Sequence, residues 1–461
     1  MRGAGPGSAP AAATATTRPA AADFAAALEA AIATRTARVV VVGQGNVGLP
    51  VALRAVEQGF PVVGLEASAE RVAALAHGRS YVLGVSDAQV CSALAAGFRP
   101  LCDPGAVGPF DVAVVSVPTP LTDGVPDLAH VVAAVSALAA QVRPGALVVL
   151  ESTTYPGTTE ELVRPLLESS GLRSGEDLFV GYSPERIDPG NERWGFVNTP
   201  KVVAGVDPRS RRVVEAFYAS LVDRVVPVAS TAEAELVKLI ENTFRTVNIA
   251  LVNELAVFAA ELGIDVWQAI EAATTKPFGY MPFRPGPGVG GHCLPIDPSY
   301  LSWRVQTRLG RPFRFVELAN EVNGAMPGYV VGRLGALLHC SGRRLRGSRI
   351  LALGLSYKAG SPDWRGSPAV EVVRRLVGLG AEVRAAEPHI PAAAAVGALP
   401  PHLQAPAPVV DCTIGEIVAA DAVVILVDHA DFPLDAVAEH AKLVLDTKGC
   451  LRDHAFRGET L

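Results

Sequence analysis

The chain has few cysteines and no metal-binding spacing. Its six cysteines form no CxxC pair and no regular framework, and a chain of 461 residues is too long to need disulfide staples. A reducing compartment is therefore expected. His292 and Cys293 are an isolated pair with no second pair of ligands at zinc-site spacing, so we expect no metal.

Long apolar runs and basic runs are also missing. The longest apolar runs, such as "RVVVVG" and "AVVILV", have the length of a strand and fall far short of the roughly 18 residues that span a bilayer. No leucine-rich segment of the secretion-signal type occurs at the N-terminus. The formal charge is 40 − 46 = −6 without a Lys/Arg run, which argues against nucleic-acid binding. We expect a cytoplasmic protein that acts on small molecules, without nucleic-acid or membrane partners.

The first residues are compositionally biased. Residues 1–21 consist largely of Ala, Pro, Thr and Gly, which cannot bury enough surface to offset their ordering entropy. We expect a disordered tail over 1–36. The length of the whole chain predicts roughly three folded units.

After the tail, short Val-rich runs alternate with Ala/Leu-rich helical stretches. Runs that are apolar on both faces and separated by helices indicate central strands of a parallel sheet. A second series begins near residue 348. The pattern predicts an α/β protein with two doubly wound, Rossmann-like parallel-sheet domains. The runs are 37–43, 61–66, 111–117, 146–152, 178–182 and 201–205, then 348–360, 381–388, 420–429 and 441–449.

A long helix is predicted between the two series. Residues 231–263 contain no Pro and no internal Gly, and apolar residues recur at helical spacing from Leu236 to Leu262. The predicted helix of about 30 residues is longer than most globular helices. Together with a small helical region up to about residue 335, it joins the two α/β domains.

A glycine-rich segment follows the first run. "GQGNVGLP" places Gly43, Gly45 and Gly48 at the head of a helix, and Glu66 ends the next run 18 residues further on. This spacing is typical of a dinucleotide-binding turn, with an acid that accepts hydrogen bonds from a ribose. A carboxylate would repel the 2′-phosphate of NADP, so we expect NAD; the alternative for Glu66 is a solvated acid at a strand end. Further candidate contacts are Asn46, Val47, Pro118, Thr119 and Thr153.

Two polar residues of the long helix are candidates for catalysis. Lys238 and Asn242 are four residues apart and therefore project from one face. A cation and an amide directed at one point can stabilise a developing alkoxide. An ordinary solvated pair is the alternative.

The loop "PGPGVGGHCLPIDP" surrounds Cys293 with glycines and prolines. A thiolate nucleophile needs a fixed position and close approach to its substrate, whereas an unpaired cysteine is more often a small buried hydrophobe. Asp297 precedes Pro298, which also suits a helix cap with proline at its first position. Glu185, in "YSPERIDPGN", lies in a loop after a strand and could equally be part of a charged turn.

The combined segments resemble those of a known family. "GQGNVGLP", "PTP", "ESTTYPGTTEE", "YSPERIDPGN" and "GLSYKAGSPDWRGSP", with the long helix and the cysteine loop, are similar to the signature segments of the UDP-glucose/GDP-mannose dehydrogenase family. The likeness extends from about residue 37 to 450. The wording of the cysteine loop most resembles the bacterial branch that oxidises UDP-N-acetylglucosamine at C6.

The resemblance implies a two-step, NAD-dependent oxidation of a sugar C6 alcohol to a carboxylate. It assigns Cys293 as the nucleophile that forms a thiohemiacetal and then a thioester. Lys238 and Asn242 stabilise oxyanions in this family, Asp297 with Thr153 holds a water, and Glu185 matches a glutamate associated with thioester hydrolysis. The cationic Lys358 and Arg365 match positions that bind the uridine diphosphate.

The resemblance also implies a domain layout and an assembly. It predicts an NAD-binding domain over 37–215, a central helical domain over 216–335 and a UDP-sugar-binding domain over 336–461, in a dimer or larger homo-oligomer. Arg284 and Gly290 border the expected sugar site. The sequence departs from the family at Gln44, Asn46, Arg284 and Gly366.

Other functions remain open at this point. Within the family, UDP-glucose and UDP-N-acetylmannosamine are alternative substrates. A single-step β-hydroxyacid dehydrogenase would use the lysine and the asparagine but would not need Cys293 or a full second α/β domain. A non-catalytic dinucleotide sensor would keep the fold alone.

Overall fold

The computed structural model describes residues 23–187, 191, 193–291, 294–390 and 406–461. Within these ranges the amino-terminal part is a sheet flanked by helices. Its first strand consists of valines alone. The four valines of Val39–Val42 are all buried, because helices cover both faces of the sheet. The strands of this part are β1 Val39–Val42, β2 Val62–Leu65, β3 Arg99–Leu101, β4 Val112–Val115, β5 Leu121–Thr122, β6 Val125–Pro126, β7 Leu147–Leu150, β8 Phe179–Tyr182, β9 Lys201–Gly205 and β10 Val225–Pro227.

The strand order of this sheet is β10-β9-β8-β7-β4-β1-β2-β3, and β5 and β6 form a separate hairpin. The strand order reverses between β1 and β4, which is the point at which such sheets bind ligands outside the carboxyl ends of their strands. The helices of this part are α1 Phe24–Ala33, α2 Gly48–Glu57, α3 Ala69–Ala76, α4 Asp87–Ala95, α5 Ala129–Ala139, α6 Arg164–Glu168 and α7 Pro208–Ala219. A π-helical turn, Thr159–Val163, leads into α6.

One predicted strand runs in the opposite direction. The prediction that the strand at 201–205 is parallel to its neighbour is wrong, because β9 pairs antiparallel with β8 through Gly181 with Gly205 and Tyr182 with Ala204. A parallel pair needs a crossover, usually a helix, and no helix occurs in the described residues between Tyr182 and Lys201. The edge strand β10 is again parallel to β9.

The expected tail contains a helix. Residues 1–22 lie outside the described part, but the prediction of disorder as far as residue 36 is wrong, because α1 packs on α7. Ala25, Leu28 and Ile32, one turn apart, are buried in the core of the sheet domain. Arg212 also pairs with Glu29 at 2.5 Å. The compositional bias of the first 21 residues does not continue into α1, which has an apolar face of its own.

The prediction of a long helix is confirmed. Helix α8 covers Thr231–Glu261, and a capping box between Ser230 and Glu233 fixes its start. It is followed by α9 Val266–Thr274, α10 Asp297–Leu309 and α11 Arg314–Cys340, and α11 packs along α8. No helix in the described ranges is both long enough and apolar enough to cross a membrane.

The carboxyl-terminal part is a second doubly wound sheet, as predicted. All of its strand pairs are parallel, in the order β13-β12-β11-β14-β15-β16. Its strands are β11 Arg349–Leu353, β12 Glu382–Ala386, β13 Val409–Val410, β14 Ala422–Ile425, β15 Val444–Asp446 and β16 Gly458–Thr460, and its helices are α12 Pro368–Gly378, α13 Ile414–Ala419 and α14 Leu434–His440. The domain boundaries at residues 215 and 335 stay predictions.

Candidate active site

A row of buried polar side chains follows one face of α8. Glu235, Asn242, Thr246 and Asn253 are all less than a tenth exposed, and their spacings of seven, four and seven residues place them on the same face. Buried polar groups require hydrogen-bond partners, and each of these side chains bonds to a loop or to the start of another helix. The helix therefore sets the relative positions of several loops.

Asp297 contacts Asn242 on this face. The amide Nδ2 of Asn242 donates to Oδ2 of Asp297 at 2.5 Å, and Asp297 is 4% exposed. Burial raises the pKa of Asp297 to about 6, against the opposing effects of the Lys238 charge and the Asn242 hydrogen bond. The N-cap position of α10 is occupied by Ile296, and Asp297 is the first residue of the helix itself. The cap interpretation is therefore wrong, and the carboxylate is directed to α8.

The cysteine loop is fixed to α8 on both sides. His292 and Cys293 lie outside the described residues, but the loop before them and the residue after them are in place. The Gly286 amide donates to Asn253 Oδ1 at 2.9 Å, and Thr246 Oγ1 donates to the Leu294 carbonyl at 2.9 Å. Both anchors lie on the same helical face as Asn242.

The glycines of the loop allow close approach to the carboxyl-terminal domain. A Cβ on Gly290 would lie 2.6 Å from Pro368 Cδ and 2.8 Å from the Gly366 carbonyl oxygen, and a Cβ on Gly291 would lie 2.8 Å from the Tyr357 ring. Gly366, where the family usually has a glutamate, has φ +62°, a conformation that favours glycine. The loop thus packs directly on the segment that carries Lys358 and Arg365.

The glycine turn after β1 has the geometry of a dinucleotide site. Gly43 has φ +88°, and a Cβ there would lie 2.2 Å from the Ser116 carbonyl, while a Cβ on Gly48 would lie 1.9 Å from the Gly43 carbonyl. Among the described residues, apart from its two chain neighbours, no heavy atom lies within 4 Å of the Cβ position of Gly45, which leaves room for a pyrophosphate at the N-terminus of α2. These residues fit NAD.

Glu66 lies at the end of β2, beside this turn. Its carboxylate accepts the Gln44 and Ser68 amides, each at 3.0 Å, and is buried rather than solvated. Asn46 is exposed and Val47 precedes the first turn of α2. The Gln44 side chain folds inward and donates to the Val41 carbonyl at 2.7 Å, so this departure from the family is accommodated below the turn.

The loops after β4 and β7 meet beside the turn. Thr119 Oγ1 donates to the Thr153 carbonyl at 2.8 Å, and the Tyr300 hydroxyl donates to the Thr119 carbonyl at 2.8 Å. Pro118, in the same loop, is exposed. The structure therefore brings Pro118, Thr119 and Thr153 to one edge of the sheet, next to α10.

Glu235, on α8, holds the turn that leads into α6. The pair Thr158 and Glu161 resembles a capping box, but Thr158 Oγ1 donates to the Tyr155 carbonyl and Glu161 pairs with Arg304. Instead Glu235, from α8, accepts the amides of Gly157 at 2.5 Å and Thr159 at 2.8 Å. Burial raises the pKa of Glu235 to about 7, against the opposing hydrogen bonds. Sequence reasoning missed Glu235 because its partners are 76 residues away or more.

Glu185 has a buried cation as its partner. Its carboxylate lies 3.0 Å from Lys201 Nζ, which is also 3.0 Å from Glu151 Oε1. Lys238 is half-buried, and its charge acts on both Glu185 and Asp297. Lys238 thus acts on Asp297 and Glu185 through its charge, and Asn242 contacts Asp297 by a hydrogen bond. Sequence reasoning missed Lys201 because it begins a strand that looks like ordinary core.

A cleft separates the glycine loop from the second sheet. Its volume is about 330 Å³, and its lining includes Gly288, Lys358 and Lys448. Arg365 and Arg284 are exposed and are not part of this lining. The Arg365 guanidinium binds Asp363 in a bidentate pair, with Nε–Oδ1 at 2.9 Å and Nη2–Oδ2 at 2.7 Å. Two cations in the cleft suit a phosphate-bearing ligand.

Comparison with known proteins identifies the class of this chain. Sequence profiles of the UDP-glucose/GDP-mannose dehydrogenase family match at residues 37–222 for the NAD-binding domain, 232–325 for the central domain and 351–453 for the UDP-binding domain. The UDP-N-acetyl-D-glucosamine 6-dehydrogenase of Pseudomonas aeruginosa is 36% identical over 399 residues, 86% of this chain and 91% of that protein. The NDP-N-acetyl-D-galactosaminuronic acid dehydrogenase of Ralstonia solanacearum is 35% identical over 424 residues, 89% and 95% of the two chains.

A solved structure agrees with these relatives. The UDP-D-ManNAc dehydrogenase of Pyrococcus horikoshii has a TM-score of 0.81 and 32% identity, over 91% of this chain and 98% of that one. The chain is a member of the UDP-glucose/GDP-mannose dehydrogenase family, with NAD as its cofactor.

Proposed function

We propose that this oxidoreductase oxidises the C6 alcohol of a UDP-sugar to the carboxylate in two NAD-dependent steps. The observation that carries the proposal is the contact of Asn242 with Asp297 on the helical face that also anchors the cysteine loop. A carboxylate with a pKa of about 6 is ionised at neutral pH and can still take up a proton, as a general base must.

The first oxidation needs a proton acceptor and support for an alkoxide. NAD, when bound at the glycine turn, supplies the hydride acceptor for both oxidations. Asp297, with Thr153, holds a water through which the proton of the C6 hydroxyl passes to the Asp297 carboxylate. Lys238 and Asn242 stabilise the negative oxygen as that proton leaves.

The second oxidation needs a covalent bond to the aldehyde. We assign this role to Cys293, whose sulfur adds to the aldehyde carbon and gives a thiohemiacetal. Loss of a second hydride converts this adduct into a thioester. Water then attacks the thioester carbon, the C–S bond breaks, and the uronate leaves. Glu185 is assigned to this hydrolysis.

The substrate is proposed to bridge the two α/β domains. The cleft that contains Lys358 and Lys448 supports diphosphate binding. We assign the sugar to the other side of the glycine loop, next to Asp297. Gly290 lines the sugar side through its backbone. We also assign substrate binding to Arg284 and Arg365. To bind the substrate, the Arg365 guanidinium has to break its ion pair with Asp363.

UDP-N-acetylglucosamine is the proposed sugar, on the wording of the cysteine loop and on the Pseudomonas relative. UDP-N-acetylmannosamine is the next candidate, since the Pyrococcus structure is named for that sugar. UDP-glucose is a third. The three differ at C2, so a pocket that pairs with an acetamido group would reject UDP-glucose strongly.

A homo-oligomer is also proposed. The apolar side chains Leu251, Leu255 and Phe258 of α8, and Leu262 directly after it, are open to solvent in the single chain. Exposed apolar patches of this kind mark interaction sites. A second copy of the chain, in a dimer or a larger assembly, would cover them.

Rates with a panel of UDP-sugars test the function. With NAD in excess, UDP-N-acetylglucosamine should give the highest kcat/KM. Mass spectrometry should identify the product as the uronate, in which the C6 alcohol has become a carboxylate. A single-step β-hydroxyacid dehydrogenase would leave every UDP-sugar unchanged and oxidise a small hydroxyacid. A dinucleotide sensor would bind NAD and oxidise neither. The variant Cys293→Ser should bind NAD normally and form no uronate.

A further inference from the structure

A buried lysine links the two loops on either side of the candidate active site. Lys201 is the first residue of β9, and its side chain is only 4% exposed. Its Nζ lies 3.0 Å from Glu151 Oε1, after β7, and 3.0 Å from Glu185 Oε2, after β8. A lysine is almost never fully buried unless it is paired. Here it has two partners.

Aromatic rings shield the ammonium group of Lys201 from solvent. Its Nζ lies 5.2 Å from the ring centre of Tyr218 and 5.4 Å from that of Phe196, within the range of cation–π attraction. The Tyr218 hydroxyl donates to Glu151 Oε1 at 2.5 Å. The ion pairs are therefore shielded from solvent and are stronger than pairs at a surface.

The charges of the cluster divide unequally. Burial raises the pKa of Glu151, and the neighbouring Glu185 charge adds to this effect against the opposing Lys201. Burial acts on Glu185 too, but the Lys201 charge and the Ile187 amide hold the pKa of Glu185 below its ordinary value. Burial alone would lower the pKa of Lys201, yet the two carboxylates raise it. Of the two carboxylates, Glu185 therefore holds its negative charge more strongly than Glu151 does.

Glu185 is held at both of its oxygens. Oε1 accepts the Arg186 amide at 2.7 Å and the Ile187 amide at 2.6 Å, and Oε2 accepts from Lys201 at 3.0 Å. The charge of Lys238, on α8, also acts on this carboxylate. Rotation of the carboxylate would break an ion pair that is buried from solvent. Lys201 therefore fixes the direction in which Glu185 faces α8.

We propose that Lys201 is a positioning residue for thioester hydrolysis, which holds Glu185 ionised and oriented through the two ion pairs. This inference rests on the proposed function. In that step a water oxygen bonds to the thioester carbon, the C–S bond breaks, the sulfur takes one proton, and the other proton leaves the carboxylic acid to solvent. Lys201 touches neither substrate nor cofactor and acts through Glu185 alone.

The variant Lys201→Met keeps the length of the side chain and removes its charge. Rapid mixing with NAD and UDP-N-acetylglucosamine should still give a fast burst of two NADH per active site, followed by a steady rate lower by about tenfold to a hundredfold. Intact mass spectrometry should detect the accumulated acyl-enzyme. Lys442→Met, at an exposed lysine, is the matched control and should show no burst beyond that of the unmodified chain.

A purely structural role would give a different result. Loss of folded protein lowers the burst and the steady rate by the same factor, and such a parallel loss would overturn the proposal. Loss of the Lys201 charge raises the pKa of Glu185, so the acidic limb of the pH profile of hydrolysis should move to higher pH. An unchanged limb would also contradict the role.

Two further variants keep the test decisive. If Lys201→Met fails to fold, Lys201→Gln retains a hydrogen-bond donor without the charge and should show the same burst with a smaller defect. The double variant Lys201→Met/Glu185→Gln should be no slower than Glu185→Gln alone, because both changes act on one group. An additive effect would contradict the proposal. If the unmodified chain gives no NADH with any UDP-sugar, the proposed function itself fails, which separates the two results.

Discussion

Asn242 and Asp297 are 55 residues apart in the chain, and Asn242 Nδ2 donates to Asp297 Oδ2 at 2.5 Å inside the protein. One turn along α8, Thr246 binds the carbonyl of Leu294, so the helix holds the chain that immediately follows Cys293. The long helix thereby holds both the predicted base and the residue that follows the predicted nucleophile.

Oxidation should depend on the ionisation of Asp297. With its pKa raised to about 6 by burial, this carboxyl is mostly ionised at pH 7.5 and mostly protonated at pH 5. We expect kcat for the first hydride transfer to fall about tenfold per unit below pH 6. Single-turnover rates across pH 5–8 measure this, with NAD affinity over the same range as the control. A first step independent of pH would exclude Asp297 as the base.

The same carboxyl should cost stability at neutral pH. The pKa of Asp297 is higher in the folded chain than its ordinary 3.8, so the fold favours the protonated form. The protonated carboxyl imposes little cost on folding below about pH 4, and the cost grows as the pH rises through 6 and the buried group ionises. We therefore expect Asp297→Asn to raise the free energy of unfolding by up to about 3 kcal/mol at pH 8 and by much less at pH 4, while activity is lost. Denaturant titrations at both pH values check this; equal effects at the two pH values would contradict it.

The parts of the site differed in how far the sequence could predict them. Lys238 and Asn242 were visible because helical spacing alone places them together. The contact to Asp297 was not, since Pro298 made a helix cap equally reasonable and only the packing of α10 on α8 decides between them. Lys201 looked like the start of a core strand, and the carboxylates that surround it come from two other loops.

The pattern of α8 was also only partly informative. Apolar residues at helical spacing correctly predicted a helix, but the structure buries the polar face with Asn242 and Asn253 and exposes Leu255 and Phe258. The spacing of apolar residues shows that a helix has two different faces, but it does not show which face packs against the rest of the chain.

Gly290 should tolerate no side chain. In Gly290→Ala the new Cβ would lie 2.6 Å from Pro368 Cδ and 2.8 Å from a backbone oxygen, so the loop has to move away from the carboxyl-terminal domain. We expect the unfolding free energy to fall by about 1–3 kcal/mol and the KM for the UDP-sugar to rise, with little change in NAD affinity.

Gly332→Ala is the matched control for this change. Gly332 lies in α11, and beyond its own helix backbone no heavy atom of the described part of the chain lies within 4 Å of its Cβ position. Alanine should therefore stabilise the chain by about 0.5–1 kcal/mol and leave the kinetics unchanged. Equal behaviour of the two variants would contradict the close packing of the glycine loop.

The exposed apolar face of α8 should hold an oligomer together. Phe258 is 53% exposed in the single chain, so Phe258→Glu is not expected to disturb the fold. It should instead shift the protein toward monomer at micromolar concentration, as measured by sedimentation equilibrium, because a buried unpaired charge opposes association. Glu254→Gln, at an exposed position of the same helix, serves as the control. A monomeric unmodified chain would disprove this interface.

The yield of NADH per sugar tests the central claim most directly. A limiting, known amount of UDP-N-acetylglucosamine is consumed to completion with excess NAD, and NADH is counted by its absorbance. A cysteine-dependent, two-step oxidation at α8 predicts two NADH for each sugar, with the uronate as the only sugar product. One NADH per sugar with release of the aldehyde would contradict the account.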